Sequence, residues 1–459
     1  MEYISTRNIK ETFSFKDVFL KGLAPDGGLF VPKVFPFYSI DELKELKNLS
    51  YNELASKIFL KFCHNEFNEN EIKEIINNSY KDFRTRNVVE IKKIENINLL
   101  ELFHGPTLAF KDIAMQVIGN MYEKILKKYN LKINIIVATS GDTGAAAISA
   151  IQGRNNMKIF VLHPENKISE VQRKFMTTVS SNNVFNIAIE GNFDECQKFV
   201  KQMFSDEKFR KSINMSGVNS INWARIIAQI VYYFFSYFRV SKQGEKLDFS
   251  VPTGNFGDIY AGYVAKKMGL PINKLIIATN GNDILKRAIK TGIYKPERVK
   301  ETVSPSMDIQ VASNFERLIF DVCSCSSEKI LKLMNDLSEI GEFQLDEKEL
   351  NKIKEHFYVD SLTEEETKLT IRKTYKETKI VIDPHTAVAI GVTKKLSIKN
   401  KVIILATAHP SKFSEVVKKE TGFKPQLPEN LKNILEKEEN YEKLPKDLKK
   451  IKSYILDTV

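Results

Sequence analysis

The segment His104-Gly-Pro-Thr-Leu-Ala-Phe-Lys111-Asp112 sets one lysine at the end of a short turn, at the start of a helix and in apolar surroundings. An exposed lysine, with a pKa of roughly 10.4, is a poor nucleophile at neutral pH. Partial burial and the positive end of a helix dipole both disfavour its ammonium form. A lysine so placed can form a Schiff base with an aldehyde cofactor. In isolation it also reads as an ordinary lysine near a helix start, so its surroundings have to decide.

Three loops have the setting a ligand needs. Thr253-Gly-Asn-Phe-Gly-Asp258 follows an apolar run and precedes a helical pattern. Gly254 and Gly257 allow positive φ and close approach, and the helix start attracts anions. The loop therefore reads as a phosphate cradle or as a plain tight turn, with Asp258 as the helix cap. Thr139-Ser-Gly-Asp-Thr-Gly144 has the same setting. Its hydroxyls and N–H groups suit a carboxylate, or simply an N-cap cluster. Ala406-Thr-Ala-His-Pro-Ser411 offers Thr407 at a strand end that Pro410 breaks. Arg225, on a long apolar helix, needs an anionic partner. That partner is either a protein carboxylate or a substrate phosphate. His104 and His409 flank these motifs and read as structural hydrogen-bonding histidines.

The elements that position these loops alternate. Helical spacing over Lys111–Tyr129 is followed by a buried strand, Ile133–Ala138. Strands at Ile159–Leu162, Val184–Glu190, Phe249–Pro252, Leu275–Ala278, Ile380–Ile382 and Val402–Ala406 are separated by helices such as Ile221–Val240. Buried strands between helices imply a parallel sheet covered on both faces, with ligands at the strands' carboxyl ends. Residues 1–95 read as a separate, largely helical unit and 96–425 as two α/β lobes. Within those lobes 324–377 forms a peripheral helical insertion, and 426–459 is a charged helical tail.

The 459-residue length calls for more than one subdomain. The net charge of +11 is spread among interleaved acids, which favours a solvated surface over a nucleic-acid footprint and suits an anionic substrate. Cys63, Cys196, Cys323 and Cys325 form no CxxC pair, so neither a disulfide framework nor a metal site is expected. No apolar stretch suits a membrane span or a leader, and the expected location is cytoplasmic.

Seven segments together resemble the threonine synthase family, pyridoxal-phosphate enzymes of the tryptophan synthase β-like, fold type II group. They are Gly22–Pro32, Phe103–Gln116, Ala138–Ala147, Ser220–Tyr232, Val251–Asp258, Ser304–Arg317 and Thr407–Phe413. They run in family order to about residue 420, and Gly22–Pro32 points to the longer branch found in fungi and many bacteria. The resemblance implies two open, mostly parallel sheets with flanking helices and pyridoxal 5'-phosphate as cofactor. Lys111 is then the covalent anchor. Gly254, Asn255, Phe256, Gly257 and Asp258 form the phosphate loop, and Thr407 partners the pyridine nitrogen. Thr139, Ser140, Asp142 and Thr143 lie where the substrate carboxylate is held, although Asp142 stands where fold relatives often carry Asn. Arg225 is the candidate for the substrate phosphate.

The reaction so implied turns O-phospho-L-homoserine and water into L-threonine and phosphate by γ-elimination and β-replacement. Lys111 takes the α-proton, and the retained phosphate ion serves as base for the water. Two rivals are another eliminating lyase on the same fold (a dehydratase or phospholyase) and a catalytically silent, basic nucleic-acid-binding relative. The expected protein is a monomer or homodimer that engages neither membrane nor nucleic acid.

Overall fold

The computed structural model describes residues 1–94, 97–165, 168–242 and 244–459. The helical spacing read over Lys111–Tyr129 is a helix over those same residues, with Ile113, Ala114, Val117, Ile118, Met121 and Ile125 buried. Asn130 ends it in the left-handed conformation, a usual role for Asn at a helix C-terminus. The continuous apolar run Ile133–Ala138 is a strand whose first five residues are buried. Both faces of such a strand are covered, so it shows no alternation.

Among the described residues sixteen strands assemble into four sheets. β1 (Tyr3–Ser5), β2 (Asn8–Phe13) and β3 (Phe30–Pro32) form an antiparallel sheet in the order β2-β1-β3. β4 (Glu90–Ile94) and β5 (Ile97–Glu101) belong to a six-stranded sheet with β10 (Leu247–Pro252), β11 (Ile272–Thr279), β14 (Phe357–Ser361) and β15 (Val402–Ala406). Its order is β14-β11-β10-β15-β5-β4, parallel except for β4. A five-stranded parallel sheet joins β6 (Ile133–Ala138), β7 (Met157–Pro164), β8 (Val184–Ile189), β9 (Met215–Ser216) and β16 (Glu442–Leu444) in the order β16-β8-β7-β6-β9. β12 (Ile293–Tyr294) and β13 (Phe343–Gln344) pair separately.

The chain runs outward from β10 through β11 to β14, then crosses back to β15 on the other side of β10. In the five-stranded sheet the reversal falls between β6 and β9. Crevices at such switch points are where ligands bind in open parallel sheets. The loops after β6, β10 and β15 are the three singled out in the sequence.

Several expectations change. Ile380–Ile382 has no regular structure; it leads into the helix Pro384–Lys395, which Asp383 caps. Segment 324–377 is not wholly helical, because Phe357–Ser361 supplies the edge strand β14. The charged tail likewise adds the edge strand β16 before its final helix, Leu448–Thr458. Residues 1–94 contain a sheet as well as helices, and most of their buried apolar residues share one continuous core with the catalytic lobes; the boundary expected at 95/96 lies outside the described residues. Trp223 lies at that junction, fully buried, within 6.3 Å of the Tyr3 and Phe35 rings and 6.0 Å of Phe62. The buried Arg317 guanidinium lies 5.3 Å from the Trp223 ring and donates to the carbonyls of Phe30 (3.0 Å) and Ile221 (2.6 Å). These contacts fix the start of the helix Trp223–Val240, which carries Arg225.

Candidate active site

Lys111 is the first residue of its helix and is buried, at 8% exposure. The turn before it is braced by the loop after β15: Phe110 N–H donates to the Thr407 carbonyl (2.9 Å), and His409 N–H donates to that of Leu108 (3.0 Å). Leu108 is held at φ 63, a left-handed conformation costly for a large apolar residue. Lys111 Nζ lies 3.3 Å from Asp142 Oδ2 and 3.4 Å from Ser306 Oγ. Burial disfavours its ammonium most strongly. Asp142 opposes this, while Lys412 and Arg225 push the same way as burial, and the net shift is downward. A lowered pKa moves a lysine toward the free amine that nucleophilic and basic work needs.

Asp142 is the central anion. Its Oδ1 accepts from Lys412 Nζ (2.6 Å) and Gln172 Nε2 (2.8 Å), and its Oδ2 faces Lys111. Burial alone would raise its pKa, but Lys412 and then Lys111 hold it well below the usual carboxylate range. The carboxylate is thus committed to protein cations. Thr139 is committed too, since its hydroxyl accepts from the N–H groups of Gly141 and Gly144, each at 2.9 Å. Ser140 and Thr143 are partly exposed beside a helix start with no side-chain cap. With the Gly144 N–H taken by Thr139, the N–H groups of Asp142 and Thr143 are the first-turn donors that could meet an anion.

The loop after β10 departs from expectation in two ways. Its left-handed residue is Phe256, at φ 64, rather than either glycine. Gly254 is required for another reason: a Cβ there would come within 2.7 Å of the Ser306 carbonyl oxygen. Asp258 does not cap the helix Gly257–Lys267. Its Oδ1 accepts from the hydroxyls of Tyr232 (2.5 Å) and Tyr233 (3.0 Å), and its Oδ2 is buried without a partner. Burial raises its pKa to about 6, against the two tyrosines. The Asn255 carbonyl accepts from Asn314 N–H (3.0 Å), tying the loop to the segment that follows Ser306.

Arg225 has no carboxylate partner among the described residues. Nη1 donates to the Val218 carbonyl (3.2 Å), while Nε is buried and unpartnered. Burial lowers its pKa to about 10, so it remains cationic at neutral pH. Thr407 is buried at the end of β15, beside β10 in the sheet. The flanking histidines have protein partners: His104 Nε2 lies 3.1 Å from Glu101, and His409 Nδ1 lies 2.7 Å from the Ser411 hydroxyl. Burial drops the His409 pKa to about 4, which keeps it neutral. Among the described residues no group of three or more His, Cys, Asp or Glu could hold a metal, and no helix is long and apolar enough to cross a membrane.

Sequence reading missed Lys412, Ser306, Gln172 and the Asp383–His385 pair. His385 Nδ1 lies 2.8 Å from Asp383 Oδ1, and its Nε2 accepts from Ser306 N–H (3.3 Å). Ser306 and Lys412 both lie in segments already singled out. Their one legible signal was a polar side chain in a loop that returns to a strand's carboxyl end.

The loops gathered at the switch points, the buried Lys111 and the tight Gly254 turn suit a phosphorylated aldehyde cofactor, and the unpartnered Arg225 Nε offers a donor to a further anion. Residues 88–340 match the family described as "Pyridoxal-phosphate dependent enzyme", and the fold is that of the fold type II members of this class. The ends of the chain narrow the class. Residues 2–80 match "Threonine synthase N terminus" and 386–455 match "Threonine synthase, C-terminal". The threonine synthase of Pseudomonas aeruginosa is 42% identical, covering 99% of this chain and 98% of the relative. The crystal structure of pyridoxal-phosphate-bound threonine synthase from Brucella melitensis superposes with a TM-score of 0.97 at 42% identity, covering 100% of this chain and 99% of that one. The yeast threonine synthase structure gives a TM-score of 0.95 at 38% identity, covering 100% and 98%. The chain belongs to the threonine synthase family.

Proposed function

We propose that this protein converts O-phospho-L-homoserine and water to L-threonine and phosphate, with pyridoxal phosphate held by Lys111, the Gly254–Asp258 loop and Thr407. The observation that carries the reading is a pair of buried basic side chains: Lys111, whose pKa burial lowers, and, within electrostatic reach of it, Arg225, which has no acid of its own among the described residues. An amino acid that bears a phosphate ester answers both. When bound, the cofactor supplies an electron sink for carbon–hydrogen bond cleavage beside an amine.

The chain's residues do the rest. Lys111 Nζ takes the proton from the carbon next to the substrate amine, being the buried amine in reach of that carbon. Arg225 holds the phosphate ester through a charge-assisted contact and orients its carbon–oxygen bond for cleavage. Ser140, Thr143 and the N–H groups of Asp142 and Thr143 at the start of the helix Asp142–Ile151 hold the substrate carboxylate. Thr139 shapes that loop from within, and Asp142 acts on Lys111 rather than on substrate. A neutral hydroxyl at Thr407, in place of a carboxylate, moderates the sink strength of the ring nitrogen. We place the enzyme in the cytoplasm, as a monomer or homodimer.

Purified protein incubated with O-phospho-L-homoserine should release phosphate and threonine in equal amounts. Keto-acid formation in place of threonine would make it a dehydratase or phospholyase. Absence of both products would overturn the reading.

A further inference from the structure

We propose that Lys412 is a positioning residue of the site: its ammonium holds one oxygen of Asp142, so that the other oxygen faces Lys111 without keeping that lysine charged. The inference rests on Lys111 being the cofactor lysine.

Lys412 lies on the turn Pro410–Phe413 that follows β15, and its side chain is 0% exposed. A fully buried ammonium is costly unless its donors are met. Here Nζ meets Asp142 Oδ1 at 2.6 Å and the Thr107 carbonyl at 2.8 Å, and it lies 5.6 Å from the Phe175 ring centroid. It thereby ties the loop after β15 to the loop after β6 and to the turn before Lys111. Thr107 extends the tie, for its N–H (2.8 Å) and hydroxyl (2.6 Å) hold Asp112, the neighbour of Lys111.

The two lysines do not share Asp142 equally. Lys412 is at 2.6 Å, whereas Lys111 is at 3.3 Å from the other oxygen, which Ser306 Oγ also approaches at 3.4 Å. A buried carboxylate with Lys111 as its sole cation would favour the ammonium and so disable the amine. A second cation on the far oxygen takes up that negative charge and also repels a charge on Lys111. The charged groups that face Lys111 are Asp142, Lys412 and Arg225, each from a different element. Asp112 is turned away, toward Thr107 and Lys412. Asp142 and Lys412 therefore act as a unit: the acid orients the Lys111 amine, and the second lysine keeps that acid from capturing it.

The test is a pH titration of the yellow absorbance of the holoenzyme, paired with the pH dependence of pyridoxal-phosphate uptake by the apoprotein. Lys412→Met keeps the length and removes the charge. Its absorbance midpoint should rise by about one pH unit or more, with uptake at pH 7 slowed about tenfold and recovered at higher pH. The double variant D142N/K412M, which removes both charges, should return the midpoint to near the wild-type value. A Lys412→Met protein that loses thermal stability but keeps the wild-type midpoint would make Lys412 mere packing and overturn the proposal. A double variant as shifted as the single one would overturn it too. Should Lys412→Met fail to fold, Asp142→Asn alone decides, because its midpoint must fall below wild type and an unchanged one overturns the proposal. Lys111→Ala separates the two readings. If it still bound the cofactor covalently, the assignment of Lys111 would fail, whereas a colourless Lys111→Ala beside an unshifted Lys412→Met sinks the Lys412 proposal alone.

Discussion

Asp258 is an acid enclosed beside a loop suited to an anion, and pH should expose what that costs. Its folded-state pKa of about 6 lies above the usual carboxylate value of 3.8, so the fold prefers the neutral acid. The stabilisation from that preference is complete below about pH 4 and is lost as pH rises through about 6. A shift of this size corresponds to roughly 3 kcal/mol. Asp258→Asn keeps an oxygen for Tyr232 and carries no charge. Relative to wild type, the variant should gain about 2 kcal/mol between pH 4.5 and pH 7.5. Urea unfolding of the two proteins side by side checks this, and parallel pH curves would refute it. At Lys111 the expectation is simpler: Lys111→Ala should be colourless and lose at least about 10³-fold in turnover, the upper range for a general base. Threonine release from the phospho-substrate measures it. The placement of Lys111, buried at a helix start, was legible in the sequence because a turn, a helix start and an apolar setting coincide there. Lys412 was not, because its meaning lies in Asp142, 270 residues earlier in the chain and brought beside it only by the fold.

Elements were legible where periodicity was strong. The helix Lys111–Tyr129 and the strands Ile133–Ala138 and Val402–Ala406 have the limits the pattern implied. Edge strands were not: β14 and β16 sit in charged segments, and their pairing depends on partners far away in sequence. The left-handed residue of the loop after β10 was also misplaced, since a glycine is the usual choice and here Phe256 takes that conformation, as Leu108 does in the turn before Lys111. Two close approaches between elements can be tested. A Cβ on Gly119 would meet the Ala150 carbonyl oxygen at 2.5 Å, where the Lys111 helix packs on the Asp142–Ile151 helix. Gly119→Ala must push those helices apart, and should cost about 1–3 kcal/mol in thermal or urea unfolding while weakening the Lys111–Asp142 contact. Gly254→Ala displaces the Ser306 carbonyl and should weaken cofactor binding about tenfold or more, read by equilibrium dialysis, with a smaller loss of stability.

At the scale of the molecule the N-terminal region is part of the catalytic body. Thr6 Oγ1 (2.6 Å) and Arg7 (Nε 3.1 Å, Nη2 2.8 Å) donate to Glu316, on the helix that follows Asn314 and hence the Asn255 contact. Glu316→Ala leaves these donors unmet and should cost about 2–3 kcal/mol, seen as a lower urea midpoint. Removal of residues 1–80 strips the partners of Trp223, and the shortened chain should fail to bind pyridoxal phosphate in a spectral titration. The pairing of β5 with β15 carries a consequence for synthesis. Ile97 lies opposite Val402 in that ladder. At about 5–20 residues per second, roughly 15–60 s separate the emergence of the two strands from a ribosome. Thr407 and Lys412 arrive only after β15. A growing chain therefore spends most of its synthesis with one edge of β5 unpaired and the cofactor site unassembled, and the enzyme becomes competent for catalysis only as the last tenth of its length is made.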